Sequence, residues 1–224
     1  MKKITTICLC IFSLSVFSQR IIDKNVGDFN EIKVFDLIEV NLIKSDENKV
    51  LIKGWNVDDI QVVNKNGVLK VRMQFDRKFQ GEHTFVEVYY EHLDVIDGNE
   101  GARITFNELV KQDVIELRVQ EGAKITAGLD VEYANIRAVT GGIVEASGLA
   151  SEQQVRLNTG GVFEGRQLRT EYTKLRITAA GEAEVYATNQ IDISVKAGGD
   201  VHVYGNPKIV NKSTLAGGRI YMEH

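Results

Sequence analysis

Two sets of charged residues recur at a fixed spacing in the C-terminal half. Arg137, Arg156 and Arg176 form one set, and Glu145, Glu164 and Glu184 form the other. Like charges stacked at strand spacing repel one another. The two sets therefore either neutralise each other, line a groove for an acidic or neutral glycan, or stand as solvated faces that keep the protein soluble and discourage edge association. Calcium-assisted cleavage of acidic polysaccharides would need several carboxylates around one ion beside such cations. Asp192, Asp200 and Glu182 are near in sequence but fall on different repeats, so no metal site is expected. His83, His92, His202 and His224 are scattered, without metal-ligand spacing. A Gly-x-Ser-x-Gly elbow, a phosphate loop and a dinucleotide fingerprint are all absent. No catalytic residue and no cofactor is assigned. Tyr186, Tyr204 and Tyr221, with Tyr89 and Tyr90 further back, could mark a sugar or protein surface, but at least one tyrosine of each neighbouring pair could equally belong to the core, so none is named as a site.

The elements that must position these charges follow from the glycines. Pairs or near-pairs end at Gly101, Gly122, Gly142, Gly161, Gly181, Gly199 and Gly218, a period of about 19 to 20 residues. After each glycine, Val144, Phe163, Ala183, Val201 and Ile220 occupy one position, and Ala146, Gly165, Val185, Val203 and Met222 lie two further on. The glutamate set, continued by His202 and Tyr221, stands between them. Before the glycine, Ile136, Val155, Leu175 and Ile193 alternate with Ala138, Leu157, Ile177 and Val195, and the arginine set stands between those. Side chains of a strand alternate in direction, so the apolar sets are interior and the charged sets exterior. Glycine suits the corner because it accepts positive φ and carries no Cβ. Thr140, Thr159, Ala179, Ala197 and Ala216 are small enough to sit inside the bend.

A repeat of this length has room for two or three strands and none for a helix. One repeat cannot bury its apolar side alone and must stack on the next. The expected fold is all-β, a parallel β-helix or β-solenoid with rungs of about 19 to 20 residues. The regular rungs cover 99–224. From 26 to 98 the alternation persists in a looser form, with turns at Asp46-Glu47-Asn48 and Asn64-Lys65-Asn66-Gly67. These strands either continue the helix or fold across its end, where Trp55, Phe75 and Phe79 could supply cover.

Residues 1–18 read as a signal peptide: Lys2 and Lys3 precede an apolar run from Ile4 to Phe17, and cleavage would leave Gln19 first. The run is too short for a membrane span. Both cysteines, Cys8 and Cys10, lie within it, so residues 19–224, read as a single β-helix domain, hold no thiol. Taking Lys2 and Lys3 from 27 basic residues leaves 25 against 31 acidic ones, a net charge of −6. That balance argues against nucleic acid as a partner.

The leader, Phe29-Asn30-Glu31-Ile32-Lys33-Val34, Leu37-Ile38-Glu39-Val40-Asn41-Leu42, Gly67-Val68-Leu69-Lys70-Val71 and the Thr-Gly-Gly turns resemble the head GIN domain family of exported bacterial proteins, the putative autotransporter adhesins. The resemblance implies a right-handed parallel β-helix, export, an adhesive role and no established catalytic residues. With the last Gly-Gly strand running straight to His224, anchoring is expected to fall to another protein. The expected function is an exported binding or structural module, without catalysis. It would act in the periplasm, on the outer-membrane surface or outside the cell, with a glycan or cell-envelope protein as partner and pairing of open ends as a route to a homo-oligomer. The alternative is a polysaccharide-active β-helix enzyme that uses the Arg and Glu sets.

Overall fold

The computed structural model describes residues 20–54 and 56–223. The signal-peptide reading, Gln19, both cysteines, Trp55 and His224 lie outside the described residues. In chain order the strands are β1 (Ile22–Asn25), β2 (Glu31–Val34), β3 (Glu39–Lys44), β4 (Lys49–Gly54), β5 (Ile60–Lys65), β6 (Val68–Met73), β7 (Thr84–Tyr90), β8 (Val95–Gly98), β9 (Arg103–Phe106), β10 (Val110–Val119), β11 (Lys124–Val139), β12 (Ile143–Asn158), β13 (Gly161–Ile177), β14 (Gly181–Tyr186), β15 (Gln190–Ala197), β16 (Asp200–Tyr204), β17 (Ile209–Ala216) and β18 (Arg219–Met222). They join in one sheet wound into a β-solenoid of about seven turns.

From β8 onward each strand pairs in parallel with its equivalent one rung away, and the register equates the residues that the repeat equates. Val144 meets Phe163, Phe163 meets Ala183, and Ala183 meets Val201. On the next side Ile136, Val155, Leu175 and Ile193 stand in line. These side chains are buried in one continuous apolar core, each worth about 1.5–3 kcal/mol for the larger aliphatics. The last rung has no neighbour above it among the described residues, so Ile220 is only half-buried and Met222 is exposed. Lys212, in the same rung, sits opposite core residue Ile193.

The corners differ from expectation in two details. Lys124 pairs with both Arg103 and Ile143, so Ala102 and Ala123, not Gly101 and Gly122, are the equivalents of Gly142. The expected small residues are not inside the bend either: Thr140 and Thr159 are exposed and are themselves the first left-handed residues of the turn, at φ 48° and 49°. The two glycines that follow do different jobs. Gly160 takes φ +75° with open space around its missing Cβ, whereas a Cβ on Gly161 would lie 2.0 Å from the Ala138 carbonyl oxygen one rung below. The first is required by conformation, the second by close approach of two backbones.

The rung from Gly161 to Gly181 is one residue longer than its predecessor, and the extra residue is a β-bulge. Glu145 pairs with Glu164, but Ser147 pairs with Gln167. The bulge sets Gly165 over the Phe163 ring, where a Cβ would come within 2.2 Å of a ring carbon.

The N-terminal strands both continue the solenoid and close its end. β2 and β3 form a parallel rung that pairs with β8 and β9 on one side and with β6 and β7 on the other. Beyond that, β5 runs antiparallel to β6, β4 antiparallel to β7 and β1 antiparallel to β4. Spatial order thus departs from chain order. Among the described residues there, Val57, Ile60 and Val62 are buried. Phe75 and Phe79 do not supply the expected cover: Phe75 is 85% exposed and Phe79 56%, because both sit on the 74–83 connection that swings outside the rung.

Candidate functional site

Strand alternation and parallel stacking turn each outward position into a column along the solenoid. Glu145, Glu164 and Glu184 form one such column, continued by His202 and Tyr221. Arg137, Arg156 and Arg176 form another on the far side of the glycine corner, preceded by Arg118 and followed by Ser194 and Ser213. Neighbours in a column are one rung apart, about 4.8 Å. The repeat therefore placed all six residues in the columns expected of them.

The two columns handle charge in opposite ways, and they do not neutralise each other. Lys124 Nζ lies 2.8 Å from Glu145 Oε2 and 3.5 Å from Glu164 Oε2, and Thr126 Oγ1 donates to Glu145 Oε2 at 3.4 Å. The Lys124 hydrogen bond holds the Glu145 carboxyl below its ordinary range, and Glu145 in return raises the Lys124 ammonium. Further along, His202 Nδ1 is 2.6 Å from Glu223 Oε1 and its ring stacks on Tyr221 at 4.8 Å. Arg219 Nε donates to Asp200 Oδ1 at 2.7 Å, and this interaction lowers the Asp200 carboxyl. The glutamate side opens into a groove of about 600 Å³ whose wall includes Arg166, brought out by the bulge and set 4.6 Å over the Tyr204 ring.

On the other side Arg118 is saturated by Glu116 through two bonds of 2.8 and 2.7 Å. One rung on, the compensation stops. Arg137, Arg156 and Arg176 are exposed, and among the described residues none has an ion-pair or hydrogen-bond partner. Beside them on the same face run Asn135, Gln154 and Lys174, and beside those Tyr133, Glu152 and Tyr172. A cleft of about 230 Å³ opens between the two tyrosines. Sequence reading missed Tyr133 and Tyr172, since Glu152 stands between them in the same column and no run of like residues marks it. Of the tyrosines that it did single out, Tyr89, Tyr186 and Tyr204 are half-buried, Tyr186 lying 5.8 Å beneath Arg169, Tyr221 is exposed, and Tyr90 is buried in the core.

Glu182 and Asp200 stack on adjacent rungs, while Asp192 lies on the arginine side, hydrogen-bonded by Gln190 and Asn211. Among the described residues, no group of three or more His, Cys, Asp or Glu is placed to hold a metal ion. His83 and His92 are both exposed, His92 paired with Asp94 at 2.8 Å. No helix among the described residues is long and apolar enough to cross a membrane.

Residues 28–207 match the family described as "Putative auto-transporter adhesin, head GIN domain". The chain belongs to that family. Solved structures share the head GIN architecture: a putative adhesin from Bacteroides fragilis superposes with a TM-score of 0.83 at 20% identity, covering 92% of this chain and 97% of that one. A putative lipid binding protein from Parabacteroides distasonis gives 0.71 at 15%, covering 93% and 98%. A putative adhesin from Parabacteroides merdae gives 0.70 at 15%, with the same coverage. At these identities the likeness speaks for the fold. Among curated proteins no relative matches the chain.

Proposed function

We propose that this head GIN protein is an exported, non-catalytic binding module of the cell envelope. It acts as one unit along residues 19–224 and engages a glycan or an envelope protein through its exposed side-chain columns. The observation that carries this is the uncompensated column of Arg137, Arg156 and Arg176. In a chain of net charge −4, three stacked cations are left without a carboxylate although Arg118, one rung away, has one. The family description and the names of two structural neighbours support an adhesive role, and the sequence of residues 1–18 supports export. The test is a glycan array and a cell-envelope pull-down with the purified chain, joined to cell fractionation and a mass measurement of the mature N-terminus. Specific retention of a ligand, with Gln19 first, is expected; no ligand in either assay, or an intact leader in the cytoplasm, would overturn it.

A polysaccharide-active enzyme is the second reading, favoured by the bulge, since bulges gather beside active sites. It predicts release of reducing ends from acidic polysaccharides in the presence of calcium, lost in Glu164→Gln and Arg156→Ala.

A further inference from the structure

The face that carries the arginines is more than a charged stripe. Read across the strands, successive rungs present Tyr133, Asn135 and Arg137; Glu152, Gln154 and Arg156; then Tyr172, Lys174 and Arg176. Arginines recur on every rung along one edge, and tyrosines on alternate rungs along the other. Amides occupy the middle in two of the three rungs. Tyr172 is 45% exposed, and the cleft lies where the shorter Glu152 separates the rings.

We infer that this face binds a linear acidic glycan lying along the solenoid axis, an inference that rests on the binding-module reading above. A guanidinium fork matches a carboxylate or sulfate in two-point geometry. A tyrosine ring offers a rigid apolar surface to a sugar ring and a hydroxyl at its tip, and the amides between can bond hydroxyl groups. The spacing suits a polymer: a rung is about 4.8 Å, and a pyranose unit in an extended chain is of similar length. Each sugar then meets one rung, the acid groups on the side turned to the protein reach the arginine edge, and alternate units rest on Tyr133 and Tyr172. Glu152 stands in the tyrosine column and Asp192 in the middle one, so the acid groups of the occupant must follow the arginine edge alone.

The test uses the full chain against three soluble probes of equal length: a galacturonate hexamer, a neutral galactose hexamer and a single-stranded oligonucleotide. The acidic hexamer should bind, at least 10-fold more tightly than either alternative, and weaken as salt rises. Arg137→Ala/Arg156→Ala/Arg176→Ala should reduce that binding at least 10-fold and Tyr172→Ala several-fold, whereas removal of an exposed cation outside both columns, Lys78→Ala on the 74–83 connection, should leave it unchanged. Unaltered thermal melting would show that the variants fold. Equal binding of the neutral hexamer, tighter binding of the oligonucleotide, or retention by the triple variant would each overturn the inference. So would no binding of the acidic hexamer. If a neutral glycan or an envelope protein is then captured specifically, the binding-module reading survives and only the acidic-glycan assignment falls.

Discussion

Two corners of the molecule make the same bend with different residues. Between β12 and β13 the left-handed pair is Thr159 and Gly160, at φ 49° and 75°; between β2 and β3 it is Asp36 and Leu37, at φ 60° and 62°. Neither Asp36 nor Leu37 is a glycine, and a side chain in this region costs roughly 1–2 kcal/mol per residue. The offset comes from Asp36. Its buried carboxylate accepts the Met73 amide at 3.0 Å and the Phe79 amide at 3.2 Å, tying down the 74–83 connection. The corner joins the same stack, since Leu37 N donates to the Glu100 carbonyl at 3.0 Å and Gly101 N to the Glu121 carbonyl at 2.9 Å. In the regular rungs the corner rests on what its residues lack; at the N-terminal end it rests on what one side chain holds.

The sharpest break of this contrast is Gly161→Ala, whose Cβ meets Ala138 backbone that cannot move without displacing a rung. A loss of about 3 kcal/mol or more is expected from the denaturant midpoint. Asp36→Ala follows, at about 2 kcal/mol, because the buried Met73 amide and the part-buried Phe79 amide lose their acceptor; hydrogen exchange should accelerate at Met73 and Phe79 while β11–β13 stay protected. Gly160→Ala meets no atom within 4 Å and loses only the freedom to take φ +75°, so it should cost about 1 kcal/mol. The gap between the two adjacent glycines is the measurement that separates conformation from close approach.

Two smaller effects depend on pH. Burial, and then the neighbouring Asp36 carboxyl, hold Glu100 above its ordinary range. A folded value above the unfolded one means that the wild type loses stability as pH rises through it. Glu100→Gln should therefore be the more stable protein at neutral pH, with the gain fading on acidification. Glu145 is the opposite case, its carboxyl held low by Lys124, so that stability is present above the unfolded value and lost as pH falls through the folded one. Lys124→Ala should cost at most about 0.5 kcal/mol at neutral pH, since the pair is exposed, and should shift the Glu145 titration upward by NMR.

The regular half was legible because stacking forces like residues into line: Arg137, Arg156, Arg176 and the three glutamates occupy the columns that the period implied. What escaped was information that a period does not carry. The bulge at Gly165 hides inside a one-residue change of interval. The lack of any partner for the arginines depends on where Glu116 ends and Lys124 reaches, and Tyr133 and Tyr172 share a column that Glu152 interrupts. At the N-terminal end, alternation marked the strands but not their partners, and Phe75 and Phe79, apolar by type, face solvent because their connection leaves the rung.

The position of β2 and β3 also has a bearing on how the chain assembles. Ile32 meets Leu69 on one side and Ile96 on the other, so this early rung emerges from the ribosome with neither flank yet made. Zippering from the first strand is closed to such a chain, because distant closures must be completed before any contact rewards them. The stack β11–β13, whose partners lie one repeat apart, is the natural place for growth to begin. Pulse-labelled exchange during refolding should find it protected first, with β2 inserted like a keystone near the end.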